Sequence, residues 1–309
     1  MRFTNKSRGI IAAVAGIGLA AALLPGAAQA STSSSTVTSA SPSDFTTVWQ
    51  DNFDGAAGSA PDSGNWQYDI GPGANYGTGE IETTTSDPAN VSLNGNGDLL
   101  LTPQRDGNGN WTSGRIETVR DDFQPSANGI LKVEARIQLP DVTGNAALGY
   151  WPAFWMLGST LRNGGQWPSV GEFDALEDVN GQNLVYGTLH CGVSPGGPCN
   201  EGNGLGGNIA CPGSPCTGNF HTYTFELDRS TSPQQLRWYV DGQQYWQISQ
   251  DQLDSTTWDN ATNHGVYIIL DLAMGGAFPN GVAGTTTPTG DTQPGSSMKI
   301  DYVSVQTSG

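Results

Sequence analysis

The stretch LKVEARIQL (Leu131–Leu139) alternates without a break. Leu131, Val133, Ala135, Ile137 and Leu139 are apolar, and Lys132, Glu134, Arg136 and Gln138 between them are polar. A period of two sends one set to a core and the other to water, the mark of an antiparallel strand buried on one face. YTFEL (Tyr223–Leu227) and LRWYV (Leu236–Val240) repeat the pattern. Asp241-Gly242 then supplies a two-residue hairpin turn into QQYWQIS. No amphipathic helix longer than two turns stands out. Glycine, 43 of 309 residues, is about twice its usual share of roughly 7% and falls between the strand-like runs, where tight turns need positive φ. Many strands joined by glycine-rich turns predict an all-β fold, either a two-sheet sandwich or a barrel.

At the N-terminus, residues 1–30 have the build of an export signal: Arg2, Lys6 and Arg8, an apolar run from Ile10 to Leu24, and Ala28-Gln29-Ala30 as the cleavage site. The run is shorter than the roughly 18 to 20 residues that cross a bilayer, and no later stretch is apolar enough. Residues 31–44, STSSSTVTSASPSD, have almost nothing to bury and read as a flexible leader. From residue 45 onward one domain is expected, since a large β-sandwich commonly occupies this length. Without residues 1–30 the chain holds 29 acids against nine bases, a formal charge of −20. That excludes nucleic acid and anionic membrane surfaces as partners, because both need basic patches. A soluble, secreted monomer is expected.

All four cysteines, Cys191, Cys199, Cys211 and Cys216, fall within 26 residues. Three pairings are open. In an oxidising compartment the local one, Cys191 with Cys199 and Cys211 with Cys216, is favoured; zinc is the rival reading, although the spacings are not those of a paired-cysteine ribbon.

The chemistry centres on GEFDALED (Gly171–Asp178). In a regular strand Glu172 and Asp174 share a face while Glu177, five residues on from Glu172, points away. A β-bulge at Ala175 or Leu176 restores the phase and puts all three acids on one face. Glu172 and Glu177 then stand about four strand steps apart, roughly 13 Å between Cα atoms. Two inclined glutamates can close that toward the roughly 5 to 5.5 Å of retaining glycosidases, against about 6.5 to 9.5 Å for inverting ones. Mutual repulsion would hold one carboxyl protonated while another stays charged. A solvated acidic face or a calcium site would use the same residues. Of nine tryptophans, Trp151, Trp155 and Trp167 crowd just before these acids, where flat rings suit sugar faces.

These residues resemble glycoside hydrolase family 16, the laminarinase-like β-glucanases. The family signature Glu-x-Asp-x-x-Glu, preceded by Trp-Pro-Ala-x-Trp, stands here as GEFDALED and GYWPAFWMLG. VWQDNFDG, TSGRIET, VEARIQLP, GTLHCG, FHTYTFELD, LRWYVDGQ and KIDYVSV extend the resemblance over nearly all of Val48 to Gln306. It implies a concanavalin-like β-jelly-roll sandwich of two antiparallel sheets with a cleft on the concave face, and endo-cleavage of a β-linked polysaccharide with retention. It makes Glu172 the nucleophile, Asp174 the helper and Glu177 the acid/base, an order that physics alone leaves open. His190 is expected near the acid/base. Trp155 and Trp167 are expected to stack on sugars, whereas core packing explains Trp151 as readily. Arg115, and Tyr76 in YGTGE, are expected to bind substrate. YGTGE stands where many members have Trp-Gly-Asn-x-Glu, and Gly275-Gly276-Ala277-Phe278-Pro279 where they have Gly-Gly-Asn-Trp-Pro. No cofactor is required, although Asp54 and Asp301 suggest a structural calcium. Endo-β-1,3-glucanase, with mixed β-1,3-1,4-glucan as a second substrate, is the first expectation. An endo-β-1,3-galactanase, a transglycosylase and a non-catalytic lectin are the alternatives.

Overall fold

The computed structural model describes residues 45–309. The expected export signal and leader lie outside the described residues. Two large antiparallel sheets dominate. The eight-stranded back sheet runs Gln243–Ser249, Gln235–Val240, Phe220–Asp228, Ile130–Gln138, Met298–Ser308, Leu99–Leu101 and Val91–Leu93, with Thr46–Asp51 also pairing on Met298–Ser308. The seven-stranded cleft sheet runs Leu205–Ile209, Val185–His190, Glu172–Glu177, Tyr150–Gly158, Val266–Met274, Arg115–Thr118 and Trp66–Tyr68. A small four-stranded sheet, Gly71–Pro72, Thr83–Thr84, Trp111–Ser113 and Gln104–Arg105, flanks the 73–82 segment. The described helices, Ser255–Thr262 and Ala277–Ala283, are short. This is the jelly-roll sandwich that the strand pattern and the family resemblance predict.

Leu131, Val133, Ala135, Ile137 and Leu139 are all buried, as their alternation requires. Phe173 from the cleft sheet meets Phe225 of the back sheet at 5.1 Å between ring centroids, and Phe225 meets Trp238 at 5.2 Å. Trp238, itself fully buried, donates its indole N–H across the sandwich to the backbone carbonyl of Asp174 at 2.8 Å. Val266–Met274 is buried along its whole length, which is why it reads as an apolar run instead of an alternation. Asp241 and Gly242 take φ of 49° and 75°, the paired positive values of a tight hairpin turn. Cys191–Cys199 and Cys211–Cys216 are disulfide-bonded, the local pairing, and no described cysteine is left for zinc.

Candidate active site

Gly171 enters the catalytic strand with φ of +78°, and a Cβ there would strike the Ala261 backbone, so the turn demands glycine. Across Glu172–Glu177, Asp174 pairs with Thr188 and Glu177 with Tyr186, two residues opposite the single Gly187. On the other side Asp174 faces Trp155 while Leu176 faces Phe154, which leaves Ala175 as the extra residue. The bulge is therefore where the spacing of the acids requires it. Phe173, Ala175 and Leu176 go into the core, and Glu172, Asp174 and Glu177 all line one cleft. The neighbouring strand measures their offset: Glu172 lies opposite Leu157 and Glu177 opposite Ala153, four residues along.

The cleft holds about 400 Å³ and is walled by Tyr76, Glu80, Arg115, Trp151, Trp155, Trp167 and Asp271 around the three acids. Each indole anchors a carboxylate. Trp151 donates to Glu177 Oε1 at 2.9 Å, Trp167 to Glu172 Oε2 at 2.9 Å and Trp155 to Asp271 Oδ1 at 2.7 Å. Arg115 pairs with Asp69 at 3.1 Å, its guanidinium 4.1 Å from the centre of the Tyr76 ring and 4.9 Å from that of Trp155. His190 Nε2 lies 3.8 Å from Glu172 Oε1 and 3.5 Å from Asp174 Oδ2, while Nδ1 meets Glu201 Oε2 at 2.7 Å.

Burial raises the proton affinity of all three acids, but their neighbours differ. Glu177 is pushed up to about 7 by burial and by the charges of Glu172 and Asp271, against the opposing pull of the Trp151 indole and His190. Asp174 goes well above the carboxylate range, through burial and then through Glu172 and Glu177. Glu172 is also raised by burial, opposed first by His190 and then by the Trp167 N–H and Arg115. Burial alone would strip His190 of its proton. The hydrogen bond to Glu201 and the charges of Asp174 and Glu172 prevail and lift it to about 10. At neutral pH His190 is thus an imidazolium, and its charge favours the ionised form of Glu172 ahead of every other neighbour, whereas burial and then the charges of Glu172 and Glu177 hold Asp174 toward its protonated form.

The family described as "XgeA-like, catalytic GH16 domain" matches residues 141–201, which span the catalytic strand. A solved endo-1,3-beta-glucanase from Streptomyces sioyaensis is 55% identical, superposes with a TM-score of 0.84, and is aligned over 88% of this chain and 99% of its own. A glucan endo-1,3-beta-glucosidase of Cryptopygus antarcticus is 30% identical over 75% of this chain and 82% of its own length. The chain belongs to glycoside hydrolase family 16. Glucan endo-1,3-beta-glucosidase A1 of Niallia circulans is 29% identical over 84% of this chain, but the match spans only 37% of that longer protein.

Within this family-16 site, Trp155, Trp167, Arg115 and Tyr76 line the cleft. One placement differs from expectation. His190 pairs in register with Glu172, not with the acid/base: it sits behind Glu172 and Asp174 and is not among the cleft-lining residues. Of the two roles left open for Trp151, core packing and the cleft, the structure places it in the cleft, where its indole holds Glu177. Asp301 is engaged by Arg136 at 2.5 Å, and Asp54 is exposed. Neither joins a group of three potential metal ligands among the described residues. The two departures from the family pattern meet on one wall: the Ala277 N–H donates to the Thr78 carbonyl at 2.8 Å, the Thr78 hydroxyl donates to Glu80, and Phe278 packs edge-on against Trp151. Sequence reasoning passed over Asp271, Glu80 and Glu201 as site residues. Asp271 carries a signal, the lone acid in VYIILDLAM.

Proposed function

We propose that this family-16 protein is an endo-acting β-1,3-glucanase that cleaves with retention. The names of its relatives support the glucan, and the open cleft along the sheet suits an internal stretch of chain. The observation that carries the mechanism is the asymmetry of the two glutamates: an imidazolium backs Glu172, whereas Glu177, held up to about 7, keeps its proton near neutrality. Glu172 attacks the anomeric carbon as Glu177 protonates the departing oxygen. Glu177 then takes a proton from the water that releases the glycosyl-enzyme. Asp174 lies between them, and burial together with the charges of Glu172 and Glu177 favours its protonated form, which limits the negative charge beside the nucleophile.

The cleft also argues for an uncharged substrate. Arg115, which lines the cleft, is matched by Asp69 and lies among Glu80 and Asp271, and the His190 imidazolium behind the catalytic strand is matched by Glu201, Asp174 and Glu172. Reducing-end release should be measured on laminarin, barley β-glucan, β-1,3-galactan and sulfated laminarin. Laminarin is expected to be cleaved at least about tenfold faster than its sulfated form, since like charges brought together in a low-dielectric cleft repel by a kcal/mol or more. Release from galactan alone would overturn the glucan, binding without release would establish a lectin, and products longer than the starting oligosaccharide would reveal transglycosylation.

We also propose export with cleavage after Ala30, which the two disulfides support. Intact mass of secreted material should place Ser31 first; retention of residues 1–30 would contradict this.

A further inference from the structure

The insert between Cys191 and Cys216 contains a single charged side chain, Glu201. That side chain is wholly buried, and both of its oxygens are engaged: Oε2 by His190 Nδ1 at 2.7 Å and Oε1 by the Cys191 N–H at 2.8 Å. Its backbone pairs with that of Gly196, which lies inside the loop that the Cys191–Cys199 bond closes. A carboxylate so enclosed needs a cationic partner, and His190 is the one it has. The ring is held on its other sides as well. Trp167 lies 5.9 Å away between centroids, and a side chain at Gly204 would meet His190 Cε1 at 3.0 Å. With Nδ1 bound to Glu201, Nε2 can only face Asp174 and Glu172.

We infer that Glu201 is a positioning residue for the hydrolytic site: through the His190 ring it orients and fixes the cation that faces Glu172 and Asp174, so the disulfide-closed insert is part of the catalytic apparatus. The inference rests on the glycosidase reading. The groups that face His190 are Glu201 from the insert and Glu172 and Asp174 from the catalytic strand, with Glu177 also acted on by its charge. Glu201→Gln keeps the shape but places an amide NH₂ against one of two N–H donors and removes the charge that sustains the imidazolium. Glu172 would then face a neutral ring and ionise less readily. The acidic limb of the kcat/KM profile, which reports ionisation of the nucleophile, must move to higher pH.

The test reads the ring first. The chain has three histidines, so ¹⁵N-edited NMR can follow each ring, with the His190 signal assigned by its loss in His190→Gln. In the wild type the His190 ring should keep both N–H protons through pH 8; in Glu201→Gln it should lose one near neutrality. On laminarin the variant's acidic limb should rise by about one pH unit, with kcat about tenfold lower and KM changed less than about twofold. A wild-type His190 that titrates near its ordinary value would overturn the inference, and this arm needs no variant to fold. So would a Glu201→Gln protein whose ring titration and acidic limb stay put while only its melting temperature falls, the pattern of a loop that is merely structural. Wild-type protein inactive on every glycan would sink the glycosidase reading alone, because the ring titration remains readable.

Discussion

Glu172→Ala should lose turnover by on the order of 10⁴-fold and, given azide, should yield an α-configured glycosyl azide. Removing the carboxylate leaves no nucleophile to form the glycosyl-enzyme, while the Trp167 indole and the His190 imidazolium that held it remain around a space that fits a small anion. Attack from that side inverts the anomeric carbon. Glu177→Ala should behave in the opposite sense. It can still form the intermediate from a substrate whose leaving group needs no proton, and azide entering on the other face then gives a β-azide. In the wild type the basic limb of kcat/KM should fall near pH 7, where Glu177 loses its proton, and Glu177→Ala should lack that limb. Chromatography and NMR of the azide products decide the matter. β-Azide from Glu172→Ala with α-azide from Glu177→Ala would reverse the roles, and wild-type-like hydrolysis by either variant would remove the carboxylate mechanism.

Stability should peak in mild acid and fall as pH rises. Burial lifts Glu80 to about 7, Glu82 to about 8 and Glu177 to about 7, all above the ordinary 4.5. Between their unfolded and folded values the native chain holds protons that the unfolded chain has released, so stability drops as pH climbs through this window. His190 has the same sign. Its contribution is complete below its ordinary 6.5 and is lost as pH rises toward about 10. Four groups thus slope one way, and the growing negative charge of the chain adds to them. The melting temperature should be highest near pH 5 and roughly 10 °C lower at pH 9. Scanning calorimetry at constant ionic strength would show it. Glu82→Gln should flatten the slope, because a neutral amide buried at that position has no proton to lose. A melting temperature that rises from pH 5 to pH 8 would refute this account.

What could be read before the structure was local. The five-residue offset between Glu172 and Glu177 demands a bulge because side chains alternate with a period of two, and Ala175 supplies it. The alternation in Leu131–Leu139 likewise needs no partner to be recognised. Asp271 was legible in principle, as one acid in an apolar run. The position of His190 was not: it depends on how the catalytic strand registers against Val185–His190, and the bulge itself shifts that register. Glu201 was further out of reach, since its contact with His190 exists only once a glycine-rich loop has closed on itself.

The indole of Trp238 reaches from one sheet to the carbonyl of Asp174 in the other, at the residue where the bulge begins. That single bond spans the hydrophobic interior and ends one peptide from the kink that aligns the acids. Sliding one sheet over the other would pull on the kink before it disturbed any side chain in the cleft. The alignment of the carboxylates is therefore a property of the whole sandwich, as the gap of a hinge belongs to both leaves. A partly loosened molecule that still turns over substrate has no place in this architecture, and heat should extinguish catalysis and tertiary packing together.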